Sequence, residues 1–303
     1  MSLYECVVIG SGPSGIACSI ELHKAGVNVL LVEKSAPGGK VNIAPRVDNY
    51  PGFTKIPGAE LAFVLFNRVL EEKVPFRNEE VVSLTKENDL FKISFEKEDI
   101  FAKSVMIASG TKEKELGLKH EKEWLGKGIS YCSVCDGHFF KGKDVVVIGG
   151  GNSALKETIH LSSIVNHVTL IHRRNQFRGN ERIVDEIKVL ANVTILTPYI
   201  PLAFLGEDKV SGILIKNVEN NEEITLNCQG IFPLVGQLPN TSYIKIDGVI
   251  DEYGTIPIDQ SCHTSVSGLF AGGDVTARPI RQIYVAELDG KKSAKAILEY
   301  LGK

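Results

Sequence analysis

The chain has 303 residues, of which 43% are hydrophobic and 29 are glycine, a length that suggests about two domains. Its 34 Lys and Arg against 37 Asp and Glu leave a net charge of −3, which excludes a dominant basic footprint for nucleic acid or an anionic membrane. No apolar run approaches the ~20 residues of a membrane span, and the N-terminus lacks the pattern of a secretory signal.

The first predicted element is a strand through Glu5–Ile9, followed by the turn Gly10-Ser-Gly12-Pro-Ser-Gly15 and a helix to about Ala25. A second strand covers Val27–Glu33. A helix is expected over about Gly58–Lys73, then strand-like stretches at Glu80–Leu84, Phe91–Phe95 and Ser104–Ala108. The polar, turn-rich segment Ser109–Glu115 reads as a linker. The opening pattern then recurs: a strand from Asp144 to Ile148, the turn Gly149-Gly-Gly151-Asn-Ser-Ala154, a helix to about Ile164, and a strand at His167–His172. The segment Pro233–Asn240 is a second candidate linker, and a final helix runs from about Ile280 to Leu301. Apolar runs such as Val145–Ile148 suit parallel strands buried on both faces. The fold class is therefore α/β, with two dinucleotide-binding domains in one chain.

Each glycine turn has a mechanical logic. The first Gly makes the tight turn, the second lets backbone approach a pyrophosphate, and the third lets helix and strand pack closely. At the first site Glu33 ends the second strand, where an acid takes ribose hydroxyls of an adenine nucleotide. At the second site the corresponding strand ends in His172-Arg173-Arg174, with Arg178 four residues on and no carboxylate. Guanidiniums suit a 2′-phosphate, so this site reads as NADP(H) rather than NAD(H).

Between the two copies lies Cys132-Ser-Val-Cys135-Asp136. Two thiols so spaced can close a small, reducible disulfide. A thiolate attacks a partner's disulfide and the second thiol resolves the mixed species, with Asp136 placed to move a proton. Zinc is the competing reading: Cys132, Cys135 and His138 offer three ligands, but His120 is the only nearby fourth and no second pair follows. The other four of the six cysteines read as buried small hydrophobes, and so sparse a set points to a reducing, cytoplasmic compartment. No resident metal is expected.

Collected in order, these motifs resemble the low-molecular-weight bacterial thioredoxin reductases over essentially the whole chain. Pro37-Gly38-Gly39-Lys40, Asp48-Asn49-Tyr-Pro-Gly-Phe53, Gly273-Asp274-Val275 and Arg281-Gln282 add to the likeness. The resemblance implies a discontinuous FAD domain, 1–113 with 243–303, and an inserted NADPH domain, 114–242, that carries the Cys pair. It implies FAD contacts from Gly10, Gly12, Pro13, Ser14, Gly15, Glu33 and Lys34, and from Gly38, Gly39, Lys40, Asn49 and Gly110. Gly273, Asp274, Arg281, Gln282 and Ile283 complete that set, Asp274 at the ribityl chain. It implies NADPH contacts from Gly150, Gly151, Asn152, Ser153, His172, Arg173, Arg174 and Arg178. Cys135 would face the flavin, Cys132 would exchange with thioredoxin, and Asp136 would be the acid/base. A homodimer and a rotation of the NADPH domain near Gly110 and Gly236 are further expectations. Three positions depart from the usual pattern: Lys40 stands for Gln, Asn180 for Lys, and Glu287-Leu288 for small residues. Rival acceptors are ferredoxin or flavodoxin, whose related reductases lack the Cys pair, and peroxiredoxin systems, whose flavoproteins carry an added N-terminal region. A non-catalytic flavin redox sensor is the reading from another class.

Overall fold

The computed structural model of the chain describes residues 2–303 apart from Pro45, Arg46, Asp48 and Pro279; the side chains of Val134 and Cys135 are also outside the described set. Asp48 of the 48–53 motif and the Cys135 thiol therefore lie outside the described residues.

In chain order the elements are β1 (Leu3–Ile9), α1 (Pro13–Lys24), β2 (Val29–Glu33), α2 (Gly58–Glu71), β3 (Phe76–Asn78), β4 (Ser83–Glu87), β5 (Leu90–Ser94) and β6 (Asp99–Ile107). Then come β7 (Thr111–Glu113), α3 (Ser133–Asp136), β8 (Asp144–Ile148), α4 (Asn152–Ser162), β9 (His167–Ile171), α5 (Glu181–Lys188) and β10 (Val193–Leu196). The chain continues through β11 (Tyr199–Gly206), β12 (Val210–Asn217), β13 (Glu223–Asn227), β14 (Gly230–Pro233), β15 (Gln237–Pro239), β16 (Leu269–Ala271) and α6 (Ile283–Leu301). Two compact units result, 1–112 with 238–303, and 113–237. No helix among the described residues is long and apolar enough to cross a membrane.

The first unit is built on a seven-stranded sheet in the order β3-β2-β1-β6-β5-β4. β1 pairs in parallel with β2 and β6. The far edge of β6 is shared: β5 pairs antiparallel with its start, and β16 pairs in parallel with Val105–Ile107 at its end. The side-chain alternation of β1 separates two cores. Cys6 and Val8 pack with Ile16, Ile20, Leu61 and Leu65 on one face. Val7 and Ile9 pack with Leu84, Phe91, Ile93 and Ile100 on the other. An unbroken apolar strand is what such two-sided burial requires.

The second unit has a parallel sheet, β10-β9-β8-β14, and a three-stranded antiparallel sheet, β11-β12-β13. Sequence reading placed the β8-α4-β9 core of this unit but offered nothing for the meander over 199–227. From Ile213 to Asn217 β12 alternates buried and partly buried residues, and β13 alternates exposed and partly buried ones, the pattern of a sheet with one wet side.

Helices α1 and α6 cross at unusually close range because Gly290 has no side chain. A Cβ there would lie 2.1 Å from the Ser14 carbonyl oxygen. Gly290→Ala is expected to cost about 3 kcal/mol through forced separation of the helices, and thermal unfolding followed by circular dichroism would read it as a lowered midpoint.

Candidate functional site

In the first unit the β1–α1 turn is shaped by contacts no side chain could share. A Cβ on Gly10, whose φ is +105°, would lie 2.4 Å from the Ala108 carbonyl oxygen; one on Gly15 would lie 1.8 Å from that of Gly10. The turn therefore lies directly against the end of β6. A Cβ on Gly12 would meet nothing within 4 Å, so that backbone faces open space. Gly12 caps α1 and Pro13 opens it, a position where the missing proline N–H costs nothing. Ser14 Oγ in the first turn is buried and finds no hydrogen-bond partner among the described residues.

Beside this turn is a cavity of about 410 Å³ lined by Gly10, Glu33, Lys34, Ser109, Lys112 and Tyr243 among others. Glu33 enters it at the end of β2 and is already oriented. Its Oε2 accepts from Ser11 N at 2.9 Å and Ser11 Oγ at 3.1 Å, and its Oε1 from Ser35 N at 2.9 Å. Lys34 is exposed and paired with Glu80 at 3.2 Å. An open glycine backbone, an oriented acid and an orphaned buried hydroxyl fit the pyrophosphate and ribose of a dinucleotide.

The remaining expected residues of this unit fall on several separate loops and at the start of α6. Gly38 and Gly39 follow β2, and Gly38 N donates to Ser11 O at 2.8 Å. Gly110 O accepts from Asn240 N at 2.9 Å where the two chain crossings meet. Asn49 Nδ2 donates to Gln282 Oε1 at 3.3 Å. Gln282 caps α6 and Ile283 begins it. Asp274 is half-buried beyond β16; burial raises its carboxyl, opposed by the charges of Lys40 and Arg281. Lys40, a departure in the sequence, thus supplies positive charge to Asp274.

Two acids of α6 have roles that the motifs do not show: Glu287 stands in the sequence only as a departure from the usual pattern, and Asp289 carries no mark. Glu287 accepts from Tyr50 Oη at 2.6 Å and pairs with Lys291 at 2.9 Å. Asp289 is 2% exposed and accepts from Gly273 N at 3.2 Å.

The second unit repeats the turn. Gly151 caps α4 and a Cβ on it would meet nothing within 4 Å. Ala154 stands in the third position, fully buried. Arg178 N and Gly179 N both donate to Gly150 O, at 2.8 and 3.0 Å, which ties the arginine loop to the turn. Asn152 and Ser153 open α4 and are exposed. Arg173, Arg174 and Arg178 are exposed and have no ion-pair partner among the described residues. His172 is turned inward: its ring stacks on Phe177 and its Nε2 lies 3.2 Å from Gln176 O. Burial lowers its pKa, and the three neighbouring arginines push the same way. Asn180 caps α5 through Arg182 N, and its own N donates to Asn152 Oδ1 at 2.7 Å. An open glycine backbone beside unpaired guanidiniums fits a dinucleotide carrying an extra phosphate.

The cysteine segment belongs to this unit. Cys132 is disulfide-bonded, while Cys6, Cys18, Cys228 and Cys262 are free and buried. Among the described residues no group of three or more His, Cys, Asp or Glu is placed to hold a metal ion; His120 pairs with Glu123 and stacks on Trp124. Ser130 braces Cys132: its Oγ accepts from Cys132 N at 3.0 Å. Ser133 N donates to Glu157 Oε2 at 3.1 Å. Burial raises the Glu157 carboxyl. Asp136 closes α3, its N donating to Cys132 O at 3.1 Å. Buried Glu121 ties down the approach to the pair, accepting from Leu116 N, Gly117 N and Tyr131 Oη at 2.7–2.9 Å. The Cys motif itself marks none of Ser130, Glu157 and Glu121: Ser130 and Glu121 lie just outside it, and Glu157 reaches it from α4, 24 residues on from Ser133.

Comparison with known proteins agrees with this geometry. The family model for pyridine nucleotide-disulphide oxidoreductases matches residues 4–290. A thioredoxin reductase of Ureaplasma parvum is 36% identical over 302 residues, covering 99% of this chain and 97% of its own. The crystal structure of Lactococcus lactis thioredoxin reductase superposes with a TM-score of 0.87 at 33% identity, covering 99% of both chains. That of T. acidophilum thioredoxin reductase gives 0.84 at 36%, covering 100% of both. The chain belongs to the pyridine nucleotide-disulphide oxidoreductase family.

Proposed function

We propose that the protein is an NADPH-dependent thioredoxin-disulfide reductase that uses FAD. The observation that carries this reading is the disulfide-bonded Cys132 within a unit that also bears an open glycine turn and three unpaired arginines. Thioredoxin reductases similar over nearly the full chain support it. FAD supplies the relay between a two-electron hydride donor and a dithiol.

In this reading the first unit holds FAD. Gly12 and the N-terminus of α1 face the pyrophosphate, Glu33 the adenosine ribose, and Asp274, with Lys40 and Arg281 beside it, the ribityl chain. The second unit holds NADPH through Gly151 and Arg173, Arg174 and Arg178. His172, buried under the turn, shapes the loop rather than meeting the phosphate. Reduction of the Cys132–Cys135 disulfide breaks one S–S bond and leaves two thiols, with Asp136 as the proton-moving group. Cys132 then attacks the thioredoxin disulfide and Cys135 releases the mixed species. The glycines at the two crossings, Gly110 and Gly236, give the second unit freedom to alternate between the two half-reactions.

The protein acts as a homodimer in this reading, supported by the exposed apolar residues Phe63 and Leu70 on α2, a pattern that favours association. Its four free buried cysteines suit a reducing cytoplasm.

The test uses purified yellow protein with NADPH or NADH, with and without a thioredoxin, following a chromogenic disulfide. Colour with NADPH only when thioredoxin is present is the expected result. Bleaching of the flavin by NADPH with no thiol formed would move the acceptor to ferredoxin, flavodoxin or another carrier.

A further inference from the structure

Helix α6 buries two acids where a buried charge is costly. Each is spent on a different loop. Glu287, 7% exposed, accepts from Tyr50 Oη at 2.6 Å. Tyr50 follows Asn49, whose amide bonds Gln282 at the start of the same helix. Burial would raise the Glu287 carboxyl, but the Tyr50 hydroxyl, Lys291 and Arg68 outweigh it and hold it below the usual carboxylate range. The group is therefore a charged anchor.

Asp289, 2% exposed, reaches the other loop. Its Oδ2 accepts from Gly273 N at 3.2 Å, one residue before Asp274. Its Oδ1 is 3.1 Å from Arg278 Nε, close enough for an ion pair although the N–H is not aligned for a hydrogen bond. One carboxylate so holds both the start and the middle of the segment leading from β16 to α6. Gly272 leaves no slack there: a Cβ on it would fall 2.9 Å from Asp289 Cβ and 2.8 Å from Ser14 Oγ.

We propose that Glu287 and Asp289 are positioning residues that clasp the 49–50 loop and the 273–278 loop to α6, so that the flavin site is formed before FAD arrives. The inference rests on the reading that these two loops face FAD. A preformed site spares the ordering cost of two loops at binding, and its loss is read most directly in FAD retention. Neither acid touches the cofactor in this account; each acts through a neighbour.

The test compares holoenzyme of wild type with Tyr50→Phe and Asp289→Asn, following release of fluorescent FAD after dilution. Tyr50→Phe removes the hydrogen bond to the Glu287 carboxylate, and Asp289→Asn removes the charge that pairs with Arg278 and leaves one oxygen where two served, so each is expected to speed release by about tenfold. NADP⁺ affinity is measured on the same samples and is expected to stay at the wild-type value, while the melting point of the FAD-free protein is expected to fall by a few degrees, since the clasp is already made before FAD binds. Arg278→Lys, which keeps the charge, is expected to retain FAD as wild type does. Variants that release FAD at the wild-type rate overturn the clasp. So does faster release matched by an equal loss in NADP⁺ binding, since that is general destabilisation. A wild-type chain that takes up no FAD overturns the underlying reading instead.

Discussion

Replacing Cys135 with Ser is expected to abolish thioredoxin reduction while leaving reduction of the flavin by NADPH intact. The two half-reactions depend on different groups. Hydride donation needs a bound NADPH and a bound FAD, neither of which requires a thiol. Disulfide exchange needs both sulfurs, because a single thiol that attacks thioredoxin has no neighbour to release it. Loss of a covalent-catalysis group costs on the order of 10⁴-fold or more. Stopped-flow absorbance would follow flavin bleaching by NADPH at a near wild-type rate, and steady-state assay with thioredoxin would show no turnover above background. Retained turnover would remove the cysteine pair from the mechanism. Because Cys132 is disulfide-bonded in the resting structure, the same variant should also show one additional titratable thiol at position 132 without prior reduction.

Coenzyme choice should fail as sharply when the basic strand end is neutralised. Arg173, Arg174 and Arg178 are exposed, and no described acid pairs with them, so their charge is available to a ligand. The contrast with the first unit is chemical: β2 ends in Glu33, whose carboxylate would repel a 2′-phosphate. Each guanidinium–phosphate contact is a charge-assisted hydrogen bond worth roughly 1.5–3 kcal/mol. The double substitution Arg173→Gln with Arg174→Gln is therefore expected to lower kcat/KM for NADPH by about 10³-fold, chiefly through KM. NADH has no 2′-phosphate to lose, so its kcat/KM should change little. Steady-state kinetics with both coenzymes checks this, and an equal loss for both would show that the arginines serve the loop rather than the phosphate. His172 is a useful control. Its ring fills the space beside Gly150, where a glycine Cβ would come within 2.2 Å of it. Its replacement should perturb folding of the turn rather than select between coenzymes.

Much of this was legible in the chain itself. Strand, glycine turn, helix and acid or arginine lie within about thirty residues, and their spacing alone sets the β1-α1-β2 and β8-α4-β9 units and the chemistry at their tips. The two cysteines sit three apart, so their chemistry is local as well. Glycine spacing reports a backbone constraint: Gly15 must lack a Cβ because Gly10 O lies 1.8 Å from where it would be. Such constraints leave a mark at fixed positions.

Other features carried no such mark. The antiparallel sheet over 199–227 has alternation too short and too interrupted to separate from loop, and only its packing over the parallel sheet selects it. The departures at Lys40, Asn180 and Glu287 looked like isolated oddities. Their partners are Asp274, the backbone of α5, and Tyr50, the first and last of which lie more than two hundred residues away in sequence. The short-range motifs can be read from the chain alone, because glycine turns, strand ends and the cysteine pair act within a few residues. Which acid meets which remote donor emerged only on folding: Glu287, Asp289 and Glu157 find Tyr50, Gly273 and Ser133 across 237, 16 and 24 residues.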